Sequence, residues 1–376
     1  MAFDYYHGVE RKMDKKPIIA IALIAVIGVS AVGLYILFQP VDNPYDVAIV
    51  FATGGLGDKS FNDGCYKGVQ DAVDDFGITF TYVEPQEVSQ YGNFIRQFAL
   101  HPGYIQPFDL IICIGYDQLA PLMEVAEEFP DQKFAIIDEA LDNATTTETV
   151  EYPNCLGLKF KEHEGSALVG AMAGMMTTQD KLGFIGGFPI PLIHKFAGGF
   201  MWGANYTNPG VSLNISYTFD FGDPETGKTA ADDLYDFGCD IIFGAAGASG
   251  LGVFTSVKEK NDTISYPIWN IGVDSPQMYL GCEDPEDPEG PSHTITSMLK
   301  KVDVAVYEAI EAIVDETFEG GVMEFDIANG GIDYEVNSTL LDIPQNILDT
   351  VDDLKEAIKN GTINMDPFSD LYWIEE

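Results

Sequence analysis

Short apolar segments alternate with segments of helical periodicity along the chain after residue 45. The apolar segments are rich in β-branched residues, as expected for strands covered on both faces, and they span 46–53, 78–83, 109–114, 133–137 and 154–158. The segments between them carry apolar residues at helical spacing, which predicts helices at 65–76, 90–100 and 118–128. This alternation predicts an α/β fold with a doubly wound parallel sheet.

A second series of the same kind follows. It predicts strands at 181–185, 211–217, 240–243 and 267–271, and helices at 165–176, 191–204, 225–237 and 251–259. An acidic, proline-rich loop at 282–291 separates this series from a strand at 294–299 and a helix at 301–318. Two similar series in one chain predict two α/β lobes with a ligand cleft between them.

The amino-terminal region has a different character. Residues 18–38 form an uncharged apolar run that is long enough to cross a bilayer. Basic residues precede the run and acidic residues follow it, which predicts a cytoplasmic segment at 1–17 and an extracellular location for the binding region. A cleaved signal peptide is the rival interpretation, but 34–38 offers no small-residue cleavage site, so we favour an uncleaved transmembrane anchor. No cysteine stands next to the end of the run, so a lipid anchor is not expected.

Composition narrows the range of partners. The 376-residue chain has a formal net charge of −41 at pH 7. A surface this acidic repels polyanions, which excludes nucleic acid as a partner. Six Asn-x-Ser/Thr sequons support an extracellular location, and they begin at Asn143, Asn205, Asn214, Asn261, Asn337 and Asn360.

The loop at 54–63, with the sequence GGLGDKSFND, holds the most distinctive set of polar groups. It follows a predicted strand, and open α/β sheets bind ligands at the carboxyl ends of their strands. The loop matches neither glycine-rich phosphate motif, and its acid, base, hydroxyl, ring and amide suit an uncharged polar ligand with a flat face. The five cysteines include no CxxC pair and there is no HExxH motif, so we expect no metal and no cofactor.

Further segments, together with this loop, resemble the basic membrane protein (BMP) family of substrate-binding proteins, whose best-understood members resemble purine nucleoside receptors of ABC importers. The resemblance covers about 45–335. The matching segments are GGLGDKSFND at 54–63, ICIGYD at 112–117, FAIIDE at 134–139, HEGSALVGAMAG at 163–174, KLGFIGG at 181–187, IHKFAGGFMWGA at 193–204, DIIFGAAGASGLGVF at 240–254, IGVDSPQMY at 271–279 and TSMLKKVDVAV at 296–306.

The resemblance implies a type I periplasmic-binding-protein fold, in which two lobes joined by three crossovers close on a ligand. It places 45–160 and about 292–335 in the first lobe and 161–291 in the second. The acidic tail at 340–376, helical at 346–359, is expected to pack on the lobes. The function that it implies is a non-catalytic receptor that captures a nucleoside and delivers it to the permease of an ABC transporter.

The resemblance also implies individual ligand contacts. Phe61 matches a ring that stacks on the base, Asn62 is its neighbour at the cleft, and Asp138 matches a carboxylate that hydrogen-bonds the nucleoside. Gly247 would let the backbone approach the ligand, and Asp274 and Lys300 match a pair that holds the ribose hydroxyls. The resemblance implies aromatic contacts from the second lobe by Phe196 or Phe200 and by Phe219 or Phe221. Of the second pair, Phe221 is the predicted site residue.

Several of these residues also have a structural interpretation, which for Asp274 is a turn acid after a strand. A core role fits Phe61 and at least one of Phe196 and Phe200, helix or turn capping fits Asp58, Ser60 and Asp138, and Lys300 reads as a surface lysine without the resemblance. Pro276 stands where family members often carry an acid, the loop at 282–291 is expanded, and the anchor replaces a lipid-modified cysteine, which suggests an archaeal-like envelope.

The sequence is also compatible with other functions. A receptor for a sugar or another small polar ligand, or a sensor ectodomain, is compatible with the same fold, because pyranoses also stack on aromatic rings. A nucleoside-processing enzyme is disfavoured, since the chain has no GxSxG motif and no Asp-x-Asp cluster near the first turn.

Overall fold

The computed structural model describes residues 45–101, 103, 106–141 and 152–365. The strands are β1 Asp46–Val50, β2 Thr79–Val83, β3 Leu110–Ile114, β4 Phe134–Ile137, β5 Cys155–Phe160, β6 Lys181–Gly186, β7 Ser212–Tyr217, β8 Ile241–Ala245, β9 Trp269–Asp274, β10 Thr294–Lys300, β11 Gly321–Phe325 and β12 Ile332–Tyr334. The α-helices are α1 Phe61–Phe76, α2 Tyr91–Leu100, α3 Leu119–Glu128, α4 Glu162–Met176, α5 Pro191–Thr207, α6 Pro224–Phe237, α7 Leu251–Asn261, α8 Val302–Val314 and α9 Gln345–Lys359.

The strands form two sheets with the same layout. The first sheet has the order β11-β5-β4-β3-β1-β2, and the second has the order β12-β10-β9-β8-β6-β7. The ladders are parallel apart from the antiparallel pair of β10 and β12. The central strands are buried on both faces, as their continuous apolar sequences predict. The two predicted α/β lobes are therefore present, each built on one sheet.

The division of the carboxyl-terminal part differs from the expected one. Only β11 of the range 292–335 pairs with the first sheet, where it lies beside β5. The strand β10 pairs with β9 in the second sheet, and β12 pairs with β10. The chain changes lobe at Lys300, after β10, and not at the acidic loop 282–291, which connects two neighbouring strands of one sheet. The sequence pattern also missed β11 and β12, which are short edge strands.

Three crossovers connect the lobes, at 160–162, at 300–302 and at 325–332. They are held to one another by backbone hydrogen bonds, in which Lys161 N donates to Phe325 O and Lys301 N donates to Gly331 O. An ion pair of 2.8 Å between Lys161 and Asp326 joins two of them as well. The three crossovers are therefore joined to one another where the chain passes between the lobes.

Helices α4 and α5 pack closely in the second lobe because glycines line their contact. A Cβ atom at Gly170 would overlap with the backbone oxygen of Phe200. This agrees with the small-residue pattern that predicted a tightly packed helix at 165–176. The described part of the acidic tail contains α9, which packs on α4 and is tied to β12 by a 2.7 Å hydrogen bond from the Tyr334 hydroxyl to Asp352.

Some predictions fall on parts of the chain that are not described. The cytoplasmic segment at 1–17, the anchor at 18–38, the sequon at Asn143 and residues 366–376 lie outside the described residues. Within the described ranges, the helices are too short or too polar to span a membrane.

Candidate ligand-binding cleft

A cleft lies between the lobes, at the carboxyl ends of the parallel strands of both sheets. Loops after β1, β3 and β4 and the ends of β8, β9 and β10 all contribute to its walls. The lining residues are Ala52, Thr53, Asp58, Phe61, Asn62, Gly115, Tyr116, Asp117, Asp138, Leu192, Ile193, Phe196, Phe221, Ala245, Gly247, Val273, Asp274 and Lys300.

The structure brings together all but one of the nine sequence-predicted site residues. Those that line the cleft are Phe61, Asn62, Asp138, Phe196, Phe221, Gly247, Asp274 and Lys300. Phe200 does not line it: the side chain is fully buried and its ring lies 5.2 Å from that of Phe243 on β8. One helical turn carries Phe200 away from the strand ends and into the core of the second lobe.

Two aspartates mark equivalent strand ends. Asp138 directly follows β4 and Asp274 ends β9, and these strands hold the same place in the two sheets. Both residues have a positive φ, 76° for Asp138 and 63° for Asp274. Aspartate tolerates this left-handed region better than most residues other than glycine. The chain therefore turns sharply at both strand ends, and both carboxylates line the cleft.

Lys300 lies at the centre of the site and is 2% exposed. Its Nζ is 2.6 Å from Asp138 Oδ1, and it lies over the rings of Phe61 at 4.9 Å and Phe196 at 5.7 Å. A cation over aromatic faces is stabilised by the ring quadrupoles. Burial acts to lower the pKa of Lys300, but the nearby carboxylates, Asp138 foremost, outweigh it and raise the pKa above its usual value. The ammonium is therefore charged at neutral pH, contrary to the surface-lysine interpretation.

Asp274 keeps one free acceptor. Its Oδ2 accepts a 2.8 Å hydrogen bond from the hydroxyl of Ser60. Its Oδ1 is buried and has no hydrogen-bond partner in the part of the chain that the structure describes. Burial raises the pKa of Asp274 to about 6, although Lys300 and the Ser60 hydroxyl act in the opposite direction. A buried acceptor of this kind fits a donor on a ligand, because leaving it unpaired is unfavourable.

The loop at 54–63 shapes the first-lobe wall. The Asp58 carboxylate accepts hydrogen bonds from the backbone N–H groups of Ser60, Asn62 and Asp63 at 2.8–3.1 Å, so it caps α1, as its sequence position suggested. Asn62 Oδ1 accepts from Ala52 N at 3.1 Å, which ties α1 to the end of β1. With the oxygen so engaged, the amide nitrogen of Asn62 is the group available to donate to a ligand.

Several lining residues were not predicted. Tyr116 and Asp117 follow β3, and the ring of Tyr116 lies 6.5 Å from that of Phe221 across the cleft. Burial raises the pKa of Asp117 to about 6, and the hydroxyl of Tyr91 hydrogen-bonds its carboxylate. The rule that ligands bind beyond strand carboxyl ends would have identified both residues. The further unpredicted members are Ala52, Thr53, Asp58, Gly115, Leu192, Ile193, Ala245 and Val273.

The lobes touch at the rim of the cleft. A Cβ atom at Gly54 would lie 3.2 Å from the backbone oxygen of Phe221, and Gly54 has a φ of 101°. Only glycine adopts this backbone conformation readily while allowing so close an approach. Phe219, the alternative to Phe221, is 64% exposed and lies outside the cleft wall.

Comparison with known proteins connects this geometry to a family. The profile of the Bmp family, described as "ABC transporter substrate-binding protein PnrA-like", matches residues 45–366. An uncharacterized lipoprotein of Pyrococcus horikoshii is 34% identical over 77% of this chain and 68% of its own length. The ABC transporter nucleoside-binding protein BmpA of Lactococcus lactis is 28% identical over 85% of this chain and 88% of its own.

A solved structure shares the architecture. An ABC transporter solute-binding protein from Aeropyrum pernix superposes with a TM-score of 0.74 at 28% identity, covering 87% of this chain and 94% of that one. The name of the Pyrococcus horikoshii relative describes it as a lipoprotein. In the present chain the first cysteine is Cys65, which is buried in α1.

Proposed function

This chain belongs to the Bmp family of ABC transporter substrate-binding proteins, and we propose that its ligand is a purine nucleoside, held between the lobes and released unchanged. Family membership implies a small-molecule ligand and a transporter as partner, and the family is one of solute-binding proteins, not of enzymes. The single observation that carries the nucleoside proposal is the combination of aromatic walls with buried carboxylates in one cleft.

The aromatic walls suit a flat base. Phe61 from the first lobe and Phe196 and Phe221 from the second line the cleft, together with Tyr116. Stacking of a nucleobase on such rings contributes about 1–3 kcal/mol per base. The amide nitrogen of Asn62 adds a donor for the polar edge of a base.

The carboxylates suit a ribose. Ribose hydroxyls are donors, and Asp138 and Asp274 are buried acceptors in the cleft. A hydrogen bond to a charged acceptor contributes about 1.5–3 kcal/mol. Nucleotides fit poorly, because the cleft is lined by four aspartates and one lysine, and a phosphate would be repelled. An uncharged nucleoside matches this charge pattern.

Delivery outside the membrane completes the proposal. We propose that the segment at 18–38 anchors the protein with its binding lobes outside the cell, and that the lobes move as rigid bodies about the crossovers. The contact between Gly54 and the Phe221 backbone supports closure at the rim, since it joins opposite lobes.

Calorimetry with residues 40–376 tests the function. We expect inosine, guanosine or adenosine to bind at micromolar concentration or below, while ribose and glucose give no heat. Chromatography of the recovered ligand should show intact nucleoside. Binding of a sugar but not of nucleosides would favour the sugar-receptor alternative, and conversion of the nucleoside would favour an enzyme.

A further inference from the structure

A row of four charged side chains extends from the cleft wall to the region behind it. In order they are Lys195, Glu162, Lys300 and Asp138, so that positive and negative groups alternate. Lys195 Nζ is 3.0 Å from Glu162 Oε2, Glu162 Oε1 is 4.0 Å from Lys300 Nζ, and Lys300 Nζ is 2.6 Å from Asp138 Oδ1. We call this set the buried charge chain.

The buried charge chain connects both lobes through the crossovers. Lys195 lies on α5 of the second lobe, and Asp138 follows β4 of the first. Glu162 is in the first crossover and Lys300 begins the second. Lys195 Nζ also donates to the backbone oxygen of Phe160, at 3.4 Å, where the first crossover begins. The buried charge chain therefore lies along the crossovers. A motion of one lobe against the other would change the distances between its members.

Only one end of the buried charge chain lines the cleft. Lys300 and Asp138 are in the cleft wall, whereas Glu162 and Lys195 lie behind it. Glu162 is 0% exposed, and its Oε1 has no hydrogen-bond partner among the residues that the structure describes. A fully buried carboxylate with one unpaired oxygen is unfavourable unless neighbouring charges compensate. Lys195 and Lys300 are those neighbours, although burial still raises the pKa of Glu162.

We propose that Glu162, supported by Lys195, is a positioning residue that holds the Lys300 ammonium at the ligand. This inference rests on the proposed function and assigns a role to two residues outside the cleft. Lys300 has three acidic neighbours on different elements, Asp138, Asp274 and Glu162, and Glu162 is the one that lies outside the cleft wall. With or without ligand, the attraction of Glu162 adds to that of Asp138 in holding the Lys300 ammonium in place, and Lys195 favours the charged form of Glu162.

The test compares isosteric variants in nucleoside binding. Glu162→Gln keeps the shape of the side chain and removes its charge. We expect this variant to raise the dissociation constant of the nucleoside about tenfold or more. Glu162→Asp retains a carboxylate and should recover at least part of that loss. The matched control is Glu164→Gln, two residues further along α4. The Glu164 carboxylate accepts a hydrogen bond from Ile327 N and forms an ion pair with Lys161, both in the crossovers, and it does not contact Lys300. Glu164→Gln should change binding by less than about twofold.

A double-variant cycle separates positioning from general damage. If Glu162 acts through Lys300, Glu162→Gln should cause little further loss in a Lys300→Met background. A general structural effect would instead add to the loss that Lys300→Met causes. Additive losses, or equal losses in Glu162→Gln and Glu164→Gln, would overturn the proposal. If Glu162→Gln does not fold, Lys195→Met takes its place in the same cycle, with the same two readings.

A second readout needs no ligand. Crystal structures of the ligand-free protein and of Glu162→Gln report the separation of Lys300 Nζ and Asp138 Oδ1, which is 2.6 Å here. A displaced ammonium in the variant supports positioning, and an unmoved one contradicts it. If the unaltered protein binds no nucleoside, the proposed function fails, while this measurement still decides the role of Glu162.

Discussion

The two lobes use one topology to place two aspartates, and then give them different electrostatic surroundings. Asp138 and Asp274 follow equivalent strands, share a left-handed backbone conformation and line the same cleft. Asp138 pairs with the Lys300 ammonium at 2.6 Å. Asp274 has a neutral partner, the hydroxyl of Ser60, and burial raises its pKa to about 6.

This difference shows that strand position fixes where a carboxylate lies but not its charge state. The same strand end supplies an acid paired with an ammonium in the first lobe and an acid whose pKa is raised by burial in the second. The distinction comes from Lys300, whose chain position at the end of β10 brings its ammonium nearer to Asp138 than to Asp274. The first aspartate is therefore expected to matter for stability, and the second chiefly for binding.

The largest expected effect concerns stability. Asp138→Asn leaves the buried ammonium of Lys300 without its nearest partner, so the free energy of unfolding should fall by about 3–5 kcal/mol. Asp274→Asn should change it by less than about 1 kcal/mol, because the ionised carboxylate is itself disfavoured by burial. Urea unfolding at pH 7 measures both. Similar losses in the two variants would show that the lobes do not differ in this way.

The next effect concerns affinity. Asp274→Ala removes the free buried acceptor of the second lobe, and nucleoside binding should weaken by about 1.5–3 kcal/mol. Thermal unfolding should show that the variant remains folded. Titration calorimetry measures the loss, and an unchanged dissociation constant would refute the role of Asp274.

The aromatic walls allow a similar comparison. Phe61→Ala in the first lobe and Phe221→Ala in the second should each weaken nucleoside binding by about 1–3 kcal/mol, because each removes a stacking surface. Phe200→Leu is the control: it should lower stability by roughly 1 kcal/mol and leave affinity unchanged, since Phe200 lies in the core. A loss of affinity in Phe200→Leu would contradict its exclusion from the site.

The pH dependence of nucleoside affinity should report on Asp274, the aspartate of the second lobe. If the ligand donates to ionised Asp274, affinity should fall about tenfold between pH 7 and pH 5, because the carboxyl group takes up a proton near pH 6. The folded pKa lies above the usual value of 3.8, so this group opposes folding above about pH 6, and that opposition decreases as the pH falls towards 4. The contribution of Asp274 alone therefore lowers the affinity for nucleoside and raises the free energy of unfolding as the pH falls.

Variants identify the group responsible. Asp117 also has a pKa raised to about 6 and also lines the cleft. We expect the pH dependence of binding to persist in Asp117→Asn and to disappear in Asp274→Asn, as measured by calorimetry from pH 5 to pH 8. The reverse result would assign the titration to Asp117.

Much of the fold was predictable because strand and helix periodicities are local. The first series of strands and helices lies within a few residues of its predicted bounds, and so does the second. The strands β11 and β12 were missed because β11 is largely exposed at a sheet edge and β12 has only three residues, so neither shows a strong apolar pattern. The lobe assignment of β10 was wrong because pairing partners are not encoded in local periodicity.

The candidate site was predictable where resemblance and strand ends agreed. Asp138 and Asp274 stand at strand carboxyl ends, where α/β folds bind ligands. Helical spacing could not choose between Phe196 and Phe200, because residues four apart share a helix face. Phe196 lines the cleft because it lies nearer the strand ends than Phe200, and this distance is known only once the helix is packed on the sheet.

The sequence by itself determined the two α/β series, the acidic surface, the family and eight of the eighteen residues that line the cleft, because periodicity, charge and motif are properties of neighbouring residues. Only the tertiary structure decided which phenylalanine lines the cleft, where β10 pairs and that Lys300 is buried between Asp138 and Glu162. Those facts depend on contacts between residues far apart in the chain, and the charge state of a buried carboxylate depends on the cations that folding brings within a few ångströms of it.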